Sequence, residues 1–162
     1  MIIDYFDNDD NWAPFNRIAH EWVGTPFHHM SILKHRGADC TTFIGGMLLE
    51  AQIIKKVEYD FYPPDWYAIN PNLLLETVEN NLKKNLIEGL SVEVVENIKD
   101  IKRGDLLAIW TVKQEIANHS AVYLGDDEVI HCKAGKGVEI RPFFKSAFEV
   151  RLKNIFRIKQ EV

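Results

Sequence analysis

The sequence predicts an α+β domain in which N-terminal helices pack on a C-terminal antiparallel β-sheet. From Trp12 to Val23, and again from about Pro71 to Leu86, apolar residues recur at the three- to four-residue spacing of a helix. From Val92 onward the pattern changes to short β-rich runs separated by turn residues. Helices followed by consecutive strands are typical of α+β domains.

Length and composition predict a single domain spanning residues 1–162. The chain is 46% apolar and 27% charged, and no apolar run approaches the roughly 20 residues of a membrane helix. Its acidic start lacks the basic region of a secretory signal, which predicts a chain that is cytoplasmic at synthesis. Two cysteines are too few for a disulfide framework. A net charge of −5 without a run of Lys or Arg argues against a nucleic-acid partner.

A further helix is predicted to begin at Asp39, which is a favourable N-cap residue. Cys40 would then lie in the first helical turn, where backbone N–H groups and the helix dipole favour a thiolate and lower the thiol pKa. Gly45 and Gly46 each cost roughly 1 kcal/mol relative to alanine inside a helix. We expect these two glycines to allow close packing against the sheet.

A nucleophilic thiol needs a base, and histidine suits that role near neutral pH. His119 and His131 lie on predicted strands, which hold an imidazole more rigidly than a loop. If the hairpin loop is 125–127, Ala121 pairs with His131. The rings of His119 and His131 then lie on one face of the sheet, within hydrogen-bonding reach of each other. A two-residue turn at 126–127 would place them on opposite faces unless a bulge restores the phase. The hypothesis therefore requires an odd loop or a bulge.

Several segments, in chain order, resemble the NlpC-type cell-wall cysteine peptidases, and most closely their phage-encoded, tail-associated branch. The segments are GTPFHH at 24–29, GADCTTF at 37–43, RGDLLAIW at 103–110, HSAVYLG at 119–125 and IHC at 130–132. The resemblance implies a papain-like fold and hydrolysis of a peptide bond in the peptidoglycan stem. The bond implied is the γ-D-glutamyl to diaminopimelate (or lysine) link.

The resemblance also implies a role for each matching residue. Cys40 would attack the amide carbonyl, His119 would activate Cys40, and His131 would orient His119. Asp39 and Thr41 hold the positions that bind the free amine of the substrate's L-alanine. The implied partners are a stem peptide or muropeptide and other phage tail proteins, with a virion tail as a further location.

Two departures from the family pattern affect the expected substrate site. Phe27 stands where the family often has a tyrosine near the oxyanion, which leaves His28 as a candidate donor. Thr41-Thr42 replaces a serine-glycine pair, and the added methyl groups narrow the predicted amine pocket. The implied chemistry requires no metal or organic cofactor.

Alternative interpretations remain open at this point. His28, His29, His35 and Cys40 could form a zinc site, although their spacing matches no common ligand pattern. The aromatic segment 59–72 is either a packed loop or a sugar-binding platform that flanks the cleft. The chain could be a structural tail component that keeps the fold with weak activity. It could also be a thiol amidase or acyltransferase that acts on a different amide or ester.

Overall fold

The computed structural model describes all 162 residues and confirms the predicted α+β architecture. In chain order the elements are β1 (Ile2–Asp4), α1 (Asp9–Trp22), β2 (Ile32–Leu33), β3 (Gly37–Ala38), α2 (Thr42–Glu50), α3 (Leu73–Asn85), β4 (Leu90–Val95), β5 (Leu106–Ile109), β6 (His119–Gly125), β7 (Glu128–Lys133), β8 (Gly137–Pro142), α4 (Ala147–Val150) and β9 (Leu152–Glu161). None of the helices is long and apolar enough to cross a membrane.

Seven strands form one antiparallel sheet around the long last strand. β9 pairs with β4 along one side and with β5 and β1 along the other. β6, β7 and β8 follow β5 in that order across the sheet. β1 was not predicted, because three residues are too few to show a period. β2 and β3 form a separate small hairpin within a segment that was predicted to be a loop.

The sheet carries an apolar cluster on each face. α1, α2 and α3 cover one face, and their buried side chains include Phe15, Phe43 and Met47. A smaller cluster on the other face packs against Phe148 of α4. Because successive strand residues alternate between faces, neighbouring residues of β6 and β7 point into different clusters.

The β6–β7 hairpin contains the bulge that the histidine hypothesis requires. Ala121 pairs with His131 as predicted, whereas the register shifts between Tyr123 and Gly125. The connection is the two-residue turn 126–127, and both of its residues have positive φ. The bulge restores the phase that the two-residue turn would otherwise reverse.

The start of α2 differs from the prediction in position and in packing partner. The helix begins at Thr42, so Cys40 lies in the segment that leads into the helix and not in its first turn. Gly46 allows close packing, as expected, but its neighbour is α1 and not the sheet. A Cβ atom on Gly46 would lie 2.5 Å from the ring of Trp22.

Candidate active site

One open cleft, with a volume of about 790 Å³, collects nearly all of the site residues predicted from the sequence. The predicted residues that line it are Phe27, Asp39, Cys40, Thr41, His119 and His131. His28 is not among the lining residues: it is exposed, and its side chain lies against Gly37. The structure therefore does not bring His28 to Cys40 as a replacement donor.

Two histidines and a carboxylate form a hydrogen-bonded chain along the cleft. His119 Nε2 lies 2.8 Å from His131 Nδ1, and His131 Nε2 lies 3.0 Å from Glu139 Oε1. An ionised carboxylate only accepts hydrogen bonds, so His131 carries its proton on Nε2 and accepts from His119 at Nδ1. His119 Nδ1 then keeps its lone pair, and it makes no hydrogen bond within the protein. This nitrogen is free to act as a base.

Burial keeps both imidazoles uncharged. It lowers the pKa of His119 to about 3, and the neighbouring His131 and Lys133 add to this effect. Burial also lowers the pKa of His131, an effect that Glu139 offsets only in part. Both rings are therefore neutral at pH 7, which is the form that can accept a proton.

Cys40 is held as a thiol. Burial and, after it, the carboxylate of Asp39 raise the pKa of the Cys40 thiol, which corrects the lowering expected from the sequence. Cys40 precedes the first turn of α2, and the carboxylate of Asp39 accepts from the N–H groups of Thr41 and Thr42 at the helix start. No hydrogen bond joins Cys40 Sγ to either histidine. The site therefore pairs a neutral thiol with a neutral base.

The main chain of Cys40 is anchored to β6 and keeps one free donor. The hydroxyl of Ser120 donates to the carbonyl of Cys40, while the backbone N–H of Cys40 donates to no protein group. A free N–H beside a nucleophile is the donor that an oxyanion hole uses. Sequence reasoning missed Ser120, although a hydroxyl on the apolar, helix-facing side of β6 was a usable signal.

The carboxylate of Asp39 is fully engaged inside the protein. Its Oδ1 accepts from the N–H groups of Thr41 and Thr42, at 3.0 and 2.9 Å. Its Oδ2 accepts from the N–H of Met30 at 2.9 Å and from the hydroxyl of Tyr62. A carboxylate has about four acceptor positions, and Asp39 is 3% exposed. A substrate amine would therefore have to replace the Tyr62 hydroxyl to reach Asp39.

The aromatic segment 59–72 forms part of the cleft wall. Tyr62, Pro64, Trp66 and Tyr67 line the same space as Cys40. The segment is both a packed loop and a flank of the cleft, because Tyr62 and Trp66 are also buried in the main apolar cluster. Tyr62 was not singled out from the sequence, because its position depends on the path of a long loop.

The residues of the zinc alternative are not gathered into a metal-binding group. His28 lies against Gly37, whereas the ring of His29 contacts the carbonyl of Tyr62. No group of three or more His, Cys, Asp or Glu side chains is placed to hold a metal ion.

The second cysteine belongs to the core. Cys132 is 1% exposed, and its Sγ donates to the carbonyl of Ala38 at 3.2 Å. Burial raises the pKa of Cys132 to about 12. Its thiol is therefore unreactive at neutral pH.

Among protein-family models, the NlpC/P60 family matches residues 24–157. The chain belongs to the NlpC/P60 family. This family membership confirms the papain-like α+β fold that the sequence predicts. A comparison with curated protein sequences finds no match.

Solved structures of NlpC/P60 proteins share the fold at low sequence identity. A Bacillus cereus ATCC 10987 family protein is 17% identical with a TM-score of 0.60, covering 89% of this chain and 39% of that one. The NlpC/p60 domain of the peptidoglycan hydrolase SagA is 18% identical with a TM-score of 0.55, covering 89% of this chain and 96% of that one. NlpC2 from Trichomonas vaginalis is 17% identical with a TM-score of 0.56, covering 90% and 46%. This chain thus spans less than half of the Bacillus and Trichomonas proteins.

Proposed function

We propose that this NlpC/P60 protein is a cysteine peptidase that hydrolyses the γ-D-glutamyl to diaminopimelate (or lysine) bond of peptidoglycan stem peptides. The observation that carries the proposal is the hydrogen-bonded chain from Glu139 through His131 to His119, which leaves a free base nitrogen in the cleft of Cys40. Family membership supports the choice of substrate, since one protein of the same fold is a peptidoglycan hydrolase.

Acylation begins when Cys40 Sγ attacks the carbonyl carbon of the scissile amide. The thiol proton passes to His119 Nδ1, and the developing oxyanion accepts a hydrogen bond from the free N–H of Cys40. The charge gained by His119 is stabilised through His131 and the carboxylate of Glu139. When the tetrahedral species collapses, the C–N bond breaks and His119 gives its proton to the leaving amine. A thioester on Cys40 remains.

Deacylation repeats the same proton transfers with water. His119 Nδ1 takes a proton from a water molecule as the oxygen attacks the thioester carbonyl. The C–S bond then breaks, Cys40 regains its proton from His119, and the peptide leaves with a new carboxyl group. No reactant other than water is needed.

The proposal predicts which variants lose activity. Synthetic stem tetrapeptides that contain diaminopimelate or lysine are incubated with the protein, and the products are identified by mass spectrometry. Wild type should release the γ-D-glutamyl product, whereas Cys40→Ala and His119→Ala should be at least about a thousandfold slower. Cys132→Ala serves as the matched control and should retain activity, because its thiol lies in the core.

The contrary outcomes point to the alternatives. A folded wild-type protein that cleaves no stem peptide would contradict the proposal and favour a structural component, such as a phage tail protein. Release of an acyl group from another amide or an ester, with the γ-D-glutamyl bond left intact, would favour a thiol amidase or acyltransferase.

A further inference from the structure

The cleft gathers basic residues that are dispersed along the sequence. The chain has a net charge of −5 and no basic run, yet β7, β8 and the segment leading to β9 place five cations around one opening. These residues, called here the basic wall, are Lys133, Lys136, Arg141, Lys145 and Arg151. The charge of the site was therefore not predictable from the sequence, which contains no run of basic residues.

No residue of the basic wall forms an ion pair. Basic residues elsewhere, such as Lys34, Lys102 and Arg157, lie within 4.0 Å of one or more carboxylates, and none of the five does so. Unpaired charges of one sign in a concave site focus the potential and attract ligands of opposite charge. The basic wall is therefore available to an anionic ligand.

The two acidic residues of the cleft, Asp39 and Glu139, offset only part of this charge. Asp39 is buried and accepts four hydrogen bonds within the protein. Glu139 accepts from His131. Burial is the main cause of the lowered pKa of His131; Glu139 opposes this effect, and Lys133 and Arg141 add smaller lowering effects. The five cations of the basic wall therefore outnumber the two carboxylates that share the cleft.

Arg151 presents a guanidinium whose orientation is restricted. Its Cζ atom lies 4.8 Å from the ring centroid of Trp110, and both residues line the cleft. A guanidinium held over an aromatic ring is partly fixed in orientation. Its N–H groups match the two oxygens of a carboxylate.

We propose that the basic wall recognises free carboxylates of the substrate. The preferred stem peptide then carries unamidated D-glutamate and diaminopimelate, and the lysine-type or amidated peptide is the poorer ligand. This inference rests on the proposed function for its substrate class. A γ-linked D-glutamate keeps a free α-carboxylate, which three carbons separate from the scissile carbonyl, and diaminopimelate has a side-chain carboxylate that lysine lacks. Amidation removes these charges without changing the backbone.

The test measures binding to Cys40→Ala, which holds substrate without acylation. Calorimetry compares L-Ala-γ-D-Glu-meso-diaminopimelate with L-Ala-γ-D-isoglutaminyl-L-Lys at low and high salt. The first peptide should bind at least about tenfold tighter at low salt and lose much of that advantage at high salt. Adding Lys136→Gln and Arg151→Gln should reduce the preference to below about threefold. Adding Lys84→Gln and Lys99→Gln, two exposed cations outside the cleft, should leave it unchanged.

Equal binding of the two peptides, or a preference that survives in the Lys136→Gln/Arg151→Gln protein, would overturn the inference. Tighter binding of a single-stranded DNA oligonucleotide than of either peptide would overturn it in favour of a nucleic-acid ligand. Hydrolysis by wild type separates this inference from the proposed function. Cleavage of both peptides with equal kcat/KM rejects carboxylate recognition alone, whereas selective binding without any cleavage rejects the peptidase alone.

Discussion

Two uncharged side chains carry the chemistry in this account. Burial raises the pKa of Cys40 and lowers the pKa of His119, so the thiol gives up its proton only as it attacks. Glu139 decides which nitrogen of His119 is the base, because its carboxylate fixes the tautomer of His131. Each of these assignments leads to a prediction.

The reactivity of Cys40 should follow its raised pKa. In a Cys132→Ala background, the rate of alkylation by iodoacetamide should rise with pH and inflect above the roughly 8.5 of a free thiol. The reason is that the thiolate is the reacting form and burial disfavours it. A rate that already reaches a plateau near neutral pH would show a preformed ion pair and contradict the account.

Glu139→Gln should slow the reaction without weakening substrate binding. The amide removes the negative charge that stabilises the charged histidine pair and no longer dictates the tautomer of His131. We expect kcat to fall about 10- to 100-fold with KM nearly unchanged. Glu128→Gln, an exposed change on the same hairpin, is the control. Equal kcat values for the two variants would exclude this role for Glu139.

The candidate site was only partly predictable from the sequence. Strand alternation predicts which residues share a face within β6 and within β7, but His119 and His131 share one face only because of the bulge in the hairpin. The same alternation, with β8 paired so that Glu139 lies opposite His131, could have identified Glu139. Tyr62 could not be found in this way, because no periodic rule describes the loop that brings it to Asp39.

At the scale of elements, local sequence patterns predicted which helices and strands form. They predicted less well how these elements are connected and packed. The sequence left two loops open for the β6–β7 hairpin, because a three-residue loop and a bulged two-residue turn both give the required phase. Likewise, the two glycines of α2 indicated close packing but did not identify the neighbour. Only the three-dimensional arrangement shows that α1 is the partner of Gly46.

This contact predicts a cost for adding one methyl group. Gly46→Ala improves helix propensity but places Cβ 2.5 Å from the Trp22 ring, so the α1–α2 contact must open. We expect the free energy of unfolding to fall by about 1–3 kcal/mol, measured by urea denaturation. Gly45→Ala should cost less, because its Cβ meets only the Val57 side chain, at 3.0 Å. A Gly46→Ala protein as stable as wild type would disprove the close packing.

At the scale of the whole molecule, ionic contacts join the two ends of the chain. Asp4 on β1 binds Lys159 on β9 and also Lys102. Burial alone would raise the pKa of Asp4, but hydrogen bonds from these lysines outweigh it and hold that pKa below its usual value. The order of helices and strands was enough to predict the fold class, whereas this contact between distant residues was not visible in any local pattern.

Asp4→Asn should therefore destabilise the protein in a pH-dependent way. A carboxylate whose folded-state pKa is lowered contributes stability above its unfolded pKa of about 3.9, and loses it as the pH falls through the folded value. We expect a deficit of about 1–2 kcal/mol at pH 7 that shrinks below pH 4. Asp60→Asn, an exposed position without an ion pair, should show no deficit. A deficit that is the same at both pH values would contradict this assignment.

The formation of an acyl-enzyme on Cys40 is the central claim. The direct measurement is the intact mass of the protein after rapid mixing with a stem peptide and acid quenching, followed by peptide mapping. The account predicts a mass gain equal to the acyl fragment, located on Cys40, retained in Cys132→Ala and lost in Cys40→Ala. Hydrolysis of the stem peptide by the Cys40→Ala protein would contradict this claim, as would an adduct located on another residue.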